Sequence, residues 1–207
     1  MFKQKYFLNA HKGVTFLAVL ALMAWFGRWE NVTAWVYLAL HGTYGLLWVL
    51  KSNIFPDKQW EIDKGPAYAL FILVGLSAYW VPPFLITWLD VNAPAWLIGL
   101  AVSMNIFGVF CHFTSDMQKY IQLKYNPGHL ITDGMFARSR NINYFGELLI
   151  YLSFALLAMH WLPFFILGFF VFGFWFGLMR NKDKSLSRYP EFAEYKKKSS
   201  LLIPFLF

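Results

Sequence analysis

Six stretches of the chain are almost wholly apolar, near residues 13–29, 32–50, 67–89, 95–113, 142–160 and 163–180, and short polar segments separate them. Each is long enough, or nearly so, for the ~17–25 helical residues that cross a hydrocarbon core of about 30 Å. The pattern predicts an all-α polytopic membrane protein with about six transmembrane helices. Lys12 and Arg28 bracket the first stretch, which is the shortest, and snorkelling of both side chains extends it. Lys3 and Lys5 imitate the charged start of a secretory signal. No small-x-small cleavage site follows, because the stretch ends in Trp25-Phe26-Gly27-Arg28-Trp29-Glu30, so a retained helix is predicted.

Composition agrees with this pattern. Of 207 residues, 58% are hydrophobic, 21% aromatic and only 14% charged, and the mean hydropathy is +0.46. Soluble domains hold roughly 45–50% apolar and about 25% charged residues, so disorder and a soluble monomer are both disfavoured. The single cysteine, Cys111, excludes an internal disulfide and a Cys-based metal cluster. A net charge of +7 raises the question of nucleic acid, and the position of the charges answers it. With the N-terminus cytoplasmic, the inner segments are 1–12, 51–66, 114–141 and 180–207. They carry 17 of the 18 lysines and arginines, leaving only Arg28 outside. That bias sets orientation in a multi-pass protein and places both termini in the cytoplasm, at a bacterial inner membrane or the endoplasmic reticulum. Lys196-Lys197-Lys198 also suits a surface facing anionic lipid. The outer connections are short, so any chemistry belongs in the membrane or on its cytoplasmic face.

Polar residues inside the spans are costly and usually face a bundle interior or a cavity. His41 and Tyr44 lie three apart in the second stretch, on one helical face, with Gly42 and Gly45 between and beside them. Two readings stay open: a hydrogen-bonded helix contact that the glycines allow, or a substrate pocket. The loop that follows, from Lys51 to Glu61, reads as an interfacial anchor through Phe55 and Trp60, with Asp57 and Glu61 as weaker functional candidates. Pro82-Pro83 should break or kink the third span. Cys111-His112 is not a metal pair, since adjacent helical residues diverge by ~100° and no second cysteine or nearby histidine joins them.

Residues 114–147 carry more information. Thr114–Tyr125 reads as a short amphipathic helix lying at the interface, stopped by Asn126-Pro127-Gly128. Arg140, Asn143, Glu147 and Tyr151 are then spaced as one polar stripe on the fifth helix. A carboxylate there needs a partner, and Arg180 ends the adjacent antiparallel span at the same depth. Lys124, Arg138, Arg140 and Arg180 would gather around a cytoplasmic opening. Such a rim suits either a phosphorylated small molecule or lipid headgroups with one structural ion pair.

Residues Gly134-Met-Phe-Ala-Arg-Ser-Arg-Asn-Ile-Asn-Tyr-Phe-Gly-Glu147, with Tyr189-Pro-Glu-Phe-Ala-Glu-Tyr195 and the Ile203-Pro204-Phe205 ending, resemble the C-terminal domain of steroid 5α-reductases. The likeness covers roughly the last 95 residues; the first four spans match only in hydropathy. The superfamily also holds sterol reductases, which use NADPH, and isoprenylcysteine and phospholipid methyltransferases, which use S-adenosylmethionine. The methyltransferases usually carry Arg-His-Pro-x-Tyr, where this chain has Arg140-Asn141-Ile142-Asn143-Tyr144. Paired glutamates after their last span are replaced here by Asn181-Lys182-Asp183-Lys184. The resemblance therefore implies an NADPH-dependent reductase of a lipophilic enone or enoyl substrate, with the S-adenosylmethionine-dependent methyltransferase as rival and a non-catalytic lipid-binding protein as a third reading. It implies that Asp116, Asn143, Glu147 and Arg180 hold the dinucleotide, with Lys124 in place of an arginine and Tyr195 as the tail tyrosine. Arg138 and Arg140 join them by charge. Residues 1–113 form the substrate side and 114–207 the cofactor side. For the carbonyl-binding pair, Tyr44 is the candidate donor and His41 or Glu61 its orienter. The implied partners are a lipophilic small molecule and membrane lipid, with no nucleic acid and no metal.

Overall fold

The computed structural model describes residues 2–206 and is almost entirely helical. Its helices are α1 (Gln4–Trp25), α2 (Val32–Ile54), α3 (Pro66–Ser77), α4 (Val81–Trp88), α5 (Ala95–Tyr125), α6 (Ile142–Ala158), α7 (Trp161–Phe170), α8 (Phe176–Leu186) and α9 (Phe192–Lys198). A two-residue antiparallel pair joins β1 (Phe2–Lys3) to β2 (Asp63–Lys64). Five helical stretches are long and apolar enough to cross a membrane: Gln4–Trp25, Val32–Ile54, Pro66–Trp88, Ala95–Tyr125 and Trp161–Leu186; α6 is a shorter apolar helix. The chain is thus an all-α, multi-pass membrane protein. Large side chains point outward along the spans, with Trp25 84% and Phe172 75% exposed, as lipid-facing positions require.

Three boundaries differ from the sequence pattern. Helix α1 starts at Gln4, so Lys12 lies about two turns inside the first span and is buried rather than snorkelling at its edge. Residues 114–125 are no separate interfacial helix: they are the last turns of α5, a continuous 31-residue rod. At ~1.5 Å per residue it is about 46 Å long, so it outreaches the hydrocarbon core. The third span does break, but ahead of the prolines. Ala78–Trp80 tightens into a 3-10 turn, and Pro82 and Pro83 occupy the first turn of α4, where missing N–H donors cost least. Pro83 cannot bond the carbonyl of Tyr79 four residues back; the Tyr37 hydroxyl reaches that oxygen at 3.4 Å.

The fold divides into two compact units, one made of the chain up to Asn105 with Leu152–Ile166, the other of Ile106–Tyr151 with the chain from Leu167 on. In the first, α1 packs along α2 so closely that a Cβ on Gly45 would collide with the carbonyl of Lys12. One end of this unit is tied by Lys3 and Lys5, which bind Glu61 at 2.7 and 2.6 Å, and by Lys51 with Asp57 at 2.7 Å. The other end joins Arg28 to Asp90 at 3.3 Å, while Asn31 caps α2 and also donates to Asp90. The two segments of this unit read as cytoplasmic, 1–12 and 51–66, therefore meet at one end, and its outer turns at the other.

In the second unit α5 and α6 touch backbone to backbone. A Cβ on Gly146 would lie 2.6 Å from the Gly108 carbonyl, and one on Gly108 2.7 Å from that of Gly146. Small residues allow this approach, which dispersion rewards inside a membrane. A five-residue π turn, Val171–Trp175, widens the last span and packs Trp175 against Tyr144 and Tyr151.

Candidate functional site

The second unit contains a basic cavity, built from three short local devices. The loop after α5 turns at Gly128 and Gly134, both with positive φ, and Gln118 pins it by accepting from the Met135 amide at 2.9 Å. The C-terminal segment then zips onto the chain before α6. Arg140 N–H donates to Ser200 O and Ser200 N–H to Arg138 O, both at 3.0 Å, and the Ser139 hydroxyl and Asn141 amide bond the carbonyls of Leu202 and Leu201. Tyr195, buried on α9, donates its hydroxyl to the Phe136 carbonyl at 2.7 Å. Burial pushes that phenol up to about 12, so it stays a neutral donor throughout the physiological range.

Arg140 is the centre of this architecture. It is 4% exposed; its Nε and Nη2 grip the Asp183 carboxylate at 2.9 and 3.1 Å, and Nη1 bonds the Ser199 carbonyl. This pairing satisfies a guanidinium that would otherwise be prohibitively costly to bury. Lys182 donates to the Arg140 carbonyl at 2.6 Å and lies over the Phe136 ring. The cavity beside them, about 140 Å³, is lined by Lys119, Arg140, Lys182 and Arg188, with Phe136, Tyr189 and Tyr195 as aromatic walls. His129 and four leucine or isoleucine side chains complete it, and no carboxylate is among its lining in the described residues. The donor set fits phosphate, and the volume fits a phosphate or diphosphate portion of a larger ligand. A shallower cavity of about 440 Å³ shares Tyr195 and is lined by Arg138 and Lys198 together with Glu191 and Glu194.

The structure brings only some of the expected residues together. Arg140 and Tyr195 line the basic cavity; Arg138 lines its neighbour, its guanidinium over the Phe205 ring. Asp116 is buried on α5, with His112 Nδ1 3.7 Å from its carboxylate. Asn143 and Glu147 are half-buried on α6, and the amide oxygen of Asn143 has no hydrogen-bond partner. Lys124, in the exposed last turn of α5, sits over the rings of Tyr120 and Tyr125, outside the cavity lining. Arg180 is exposed and forms no ion pair with Glu147; the arginine partner that the sequence sought on the last span is an aspartate, Asp183, and it serves Arg140. Because Arg140 precedes α6 instead of starting it, the expected stripe is broken at its first member. Lys119, Lys182 and Arg188 were missed. Lys119 follows Asp116 by one helical turn, a spacing visible in the sequence once α5 is known to be continuous.

Each member of the candidate trio in the first unit engages another residue. Tyr44, 1% exposed, accepts from Lys12 Nζ at 3.0 Å; His41 Nδ1 is 2.7 Å from the Tyr37 hydroxyl and its ring stacks on Phe154. Glu61 stands on a 3-10 turn, Lys58–Glu61, held by Lys3 and Lys5, whose hydrogen bonds keep its carboxyl below the usual carboxylate range.

Comparison with curated proteins finds no match. A family described as "Protein of unknown function (DUF1295)" matches residues 57–199. That span starts well before the last 95 residues, where the motif likeness lies, and takes in α3, α4 and all of α5 as well as the basic cavity. It extends over more than half of the sequence, so the chain belongs to the DUF1295 family and, with it, to the steroid 5α-reductase-like superfamily.

Proposed function

We propose that the protein is a membrane-embedded reductase that takes NADPH at the basic cavity and acts on a lipophilic enone or enoyl substrate. The observation that carries this reading is the lining: four cations, three aromatic walls and no carboxylate. NADPH is a polyanion, and a fixed cationic cavity attracts it. S-adenosylmethionine carries a cationic sulfonium and would find no acidic partner there. Arg140 is held rigid by Asp183 and Ser199, so it presents a pre-oriented charge, while Lys119, Lys182 and Arg188 supply point charges. Asn143 adds an amide oxygen that lacks a protein donor and suits an N–H or O–H of the ligand. When bound, the reduced nicotinamide supplies a hydride; this chain's residues bind, orient and exclude water.

The test is thermal stability of the purified protein with NADPH, NADP⁺ and S-adenosylmethionine separately. A ligand at 100 times its dissociation constant stabilises by about 2.7 kcal/mol. NADPH and NADP⁺ should raise the melting temperature and S-adenosylmethionine should not. Stabilisation by S-adenosylmethionine alone would establish the methyltransferase instead, and silence from all three would favour a non-catalytic lipid-binding role.

A further inference from the structure

The shallower cavity of the second unit holds charges of both signs that do not pair with each other. About 440 Å³ in volume, it is lined by Arg138, Lys198, Glu191, Glu194, Thr132 and Tyr195. Glu194 is engaged by Lys197 at 2.7 Å. Among the described residues, Arg138, Lys198 and Glu191 form no ion pair, although one cavity contains all three. Arg138 lies over the Phe205 ring at 5.8 Å, a contact that leaves its N–H donors unspent. Backbone bonds fix where this cavity sits. Ser200 N–H donates to the Arg138 carbonyl and its own carbonyl accepts from Arg140, both at 3.0 Å, and residues 138–141 lead directly into the apolar helix α6. In a multi-pass protein the start of such a helix lies where hydrocarbon meets water. Immediately beyond, Ile203, Phe205 and Leu206 are 40%, 68% and 64% exposed, so large apolar side chains face outward at headgroup depth.

We propose that this cavity is a headgroup site for a membrane lipid carrying phosphoethanolamine, whose acyl chains lie against Ile203, Phe205 and Leu206. The site goes beyond the cofactor reading and does not depend on what the basic cavity holds. Charge complementarity selects the headgroup. Two unpaired cations and one unpaired carboxylate around one space match a zwitterion. The phosphate takes donors from Arg138, Lys198 and the Thr132 hydroxyl, and the ammonium, an ethylene link away, donates to Glu191. Arg138 suits the phosphate because its planar fork bonds two oxygens at once, whereas Lys198 offers a point charge. A purely anionic headgroup such as phosphoglycerol would meet Glu191 with no cation to offer it. A choline headgroup has the right charges but no N–H, so it makes no charge-assisted hydrogen bond to the carboxylate. The exposed tail residues decide for a lipid over a soluble zwitterion, which would leave their apolar surface uncovered.

The experiment uses full-length protein delipidated in detergent. Native mass spectrometry reads the binding of added dioleoyl phosphatidylethanolamine, phosphatidylcholine or phosphatidylglycerol, and of water-soluble glycerophosphoethanolamine. Wild type should bind phosphatidylethanolamine roughly three- to tenfold more tightly than the other two lipids, as partly exposed charge contacts allow. Glycerophosphoethanolamine should bind at least about tenfold more weakly than the lipid, and Phe205→Ser should narrow that gap. Glu191→Lys should reverse the preference toward phosphatidylglycerol. Arg138→Gln should weaken all three lipids by similar factors, because all carry the phosphate. Glu30→Lys, the same charge change at an exposed position of the first unit, should leave the preference as in wild type. Arg138 and Glu191 are exposed, and the bond between Arg138 and Ser200 N–H uses the backbone carbonyl, so these changes spare the fold; if Arg138→Gln still fails to fold, Glu191→Lys carries the test. Equal affinity for the three lipids in wild type, or an unchanged preference in Glu191→Lys, overturns the proposal. A reversal in Glu30→Lys does so too, since the preference would then follow net charge and not this cavity. Glycerophosphoethanolamine binding as tightly as the lipid would assign the cavity to a soluble zwitterion and remove the lipid.

Discussion

At the scale of single residues, Tyr195 shows how a tail side chain can govern a cavity. Its hydroxyl satisfies the buried Phe136 carbonyl, and its ring walls both polar cavities of the second unit. Tyr195→Phe should cost about 1–3 kcal/mol, because the carbonyl is left without its donor. The sign of the pH effect follows from the raised phenol. The native state holds the proton more tightly than the unfolded chain, whose tyrosine titrates near 10. The stabilisation is therefore complete below about pH 10 and is lost as pH rises toward 12. Melting of wild type and Tyr195→Phe between pH 8 and 12 checks this: the gap between them should close at the alkaline end. Of the residues singled out in the sequence, those with a pairing need, Arg140 and Tyr195, were legible as important. Their partners were not, because Asp183 and the Phe136 carbonyl are 43 and 59 residues away.

At the scale of elements, the α5–α6 crossing rests on two glycines whose carbonyls each occupy the space a methyl group would need. Packing this tight has no slack, so Gly146→Ala should cost roughly 1–3 kcal/mol by overpacking, and Gly146→Leu should prevent a stable fold. By contrast, Gly168→Ala should be nearly neutral, since a Cβ there meets nothing within 4 Å. Denaturation of the three variants in one detergent would separate them. A crossing that had moved apart would instead make all three alike. Hydropathy predicted where α5 and α6 lie, yet it treated the glycines as ordinary members of an apolar run. It also ended the fourth span at residue 113. The polar residues that follow satisfy helical hydrogen bonding as well as apolar ones do, so α5 continues to Tyr125.

For the whole molecule, the charge bias predicts that one end is cytoplasmic, and within the first unit the structure joins two of the segments so predicted through Lys3, Lys5 and Glu61. An impermeant thiol reagent applied to intact cells should label Asn92→Cys, while Lys197→Cys should react only after the membrane is opened; Cys111 is buried and gives little background. Labelling of Lys197→Cys from outside would invert the topology. The sequence by itself determined the solvent, the helical class and the approximate spans, because each follows from local hydropathy; charge counted segment by segment adds an expected orientation. Only the tertiary structure decided which polar groups meet. It withdrew Arg180 and Lys124 from the cavity and put Lys119, Lys182 and Arg188 there. It also moved Lys12 from a helix border to the side of Tyr44. The physical reason is that a buried charge is placed by its partner. Partners such as Arg140 and Asp183, or Lys12 and Tyr44, are brought together by helix packing that no local pattern encodes.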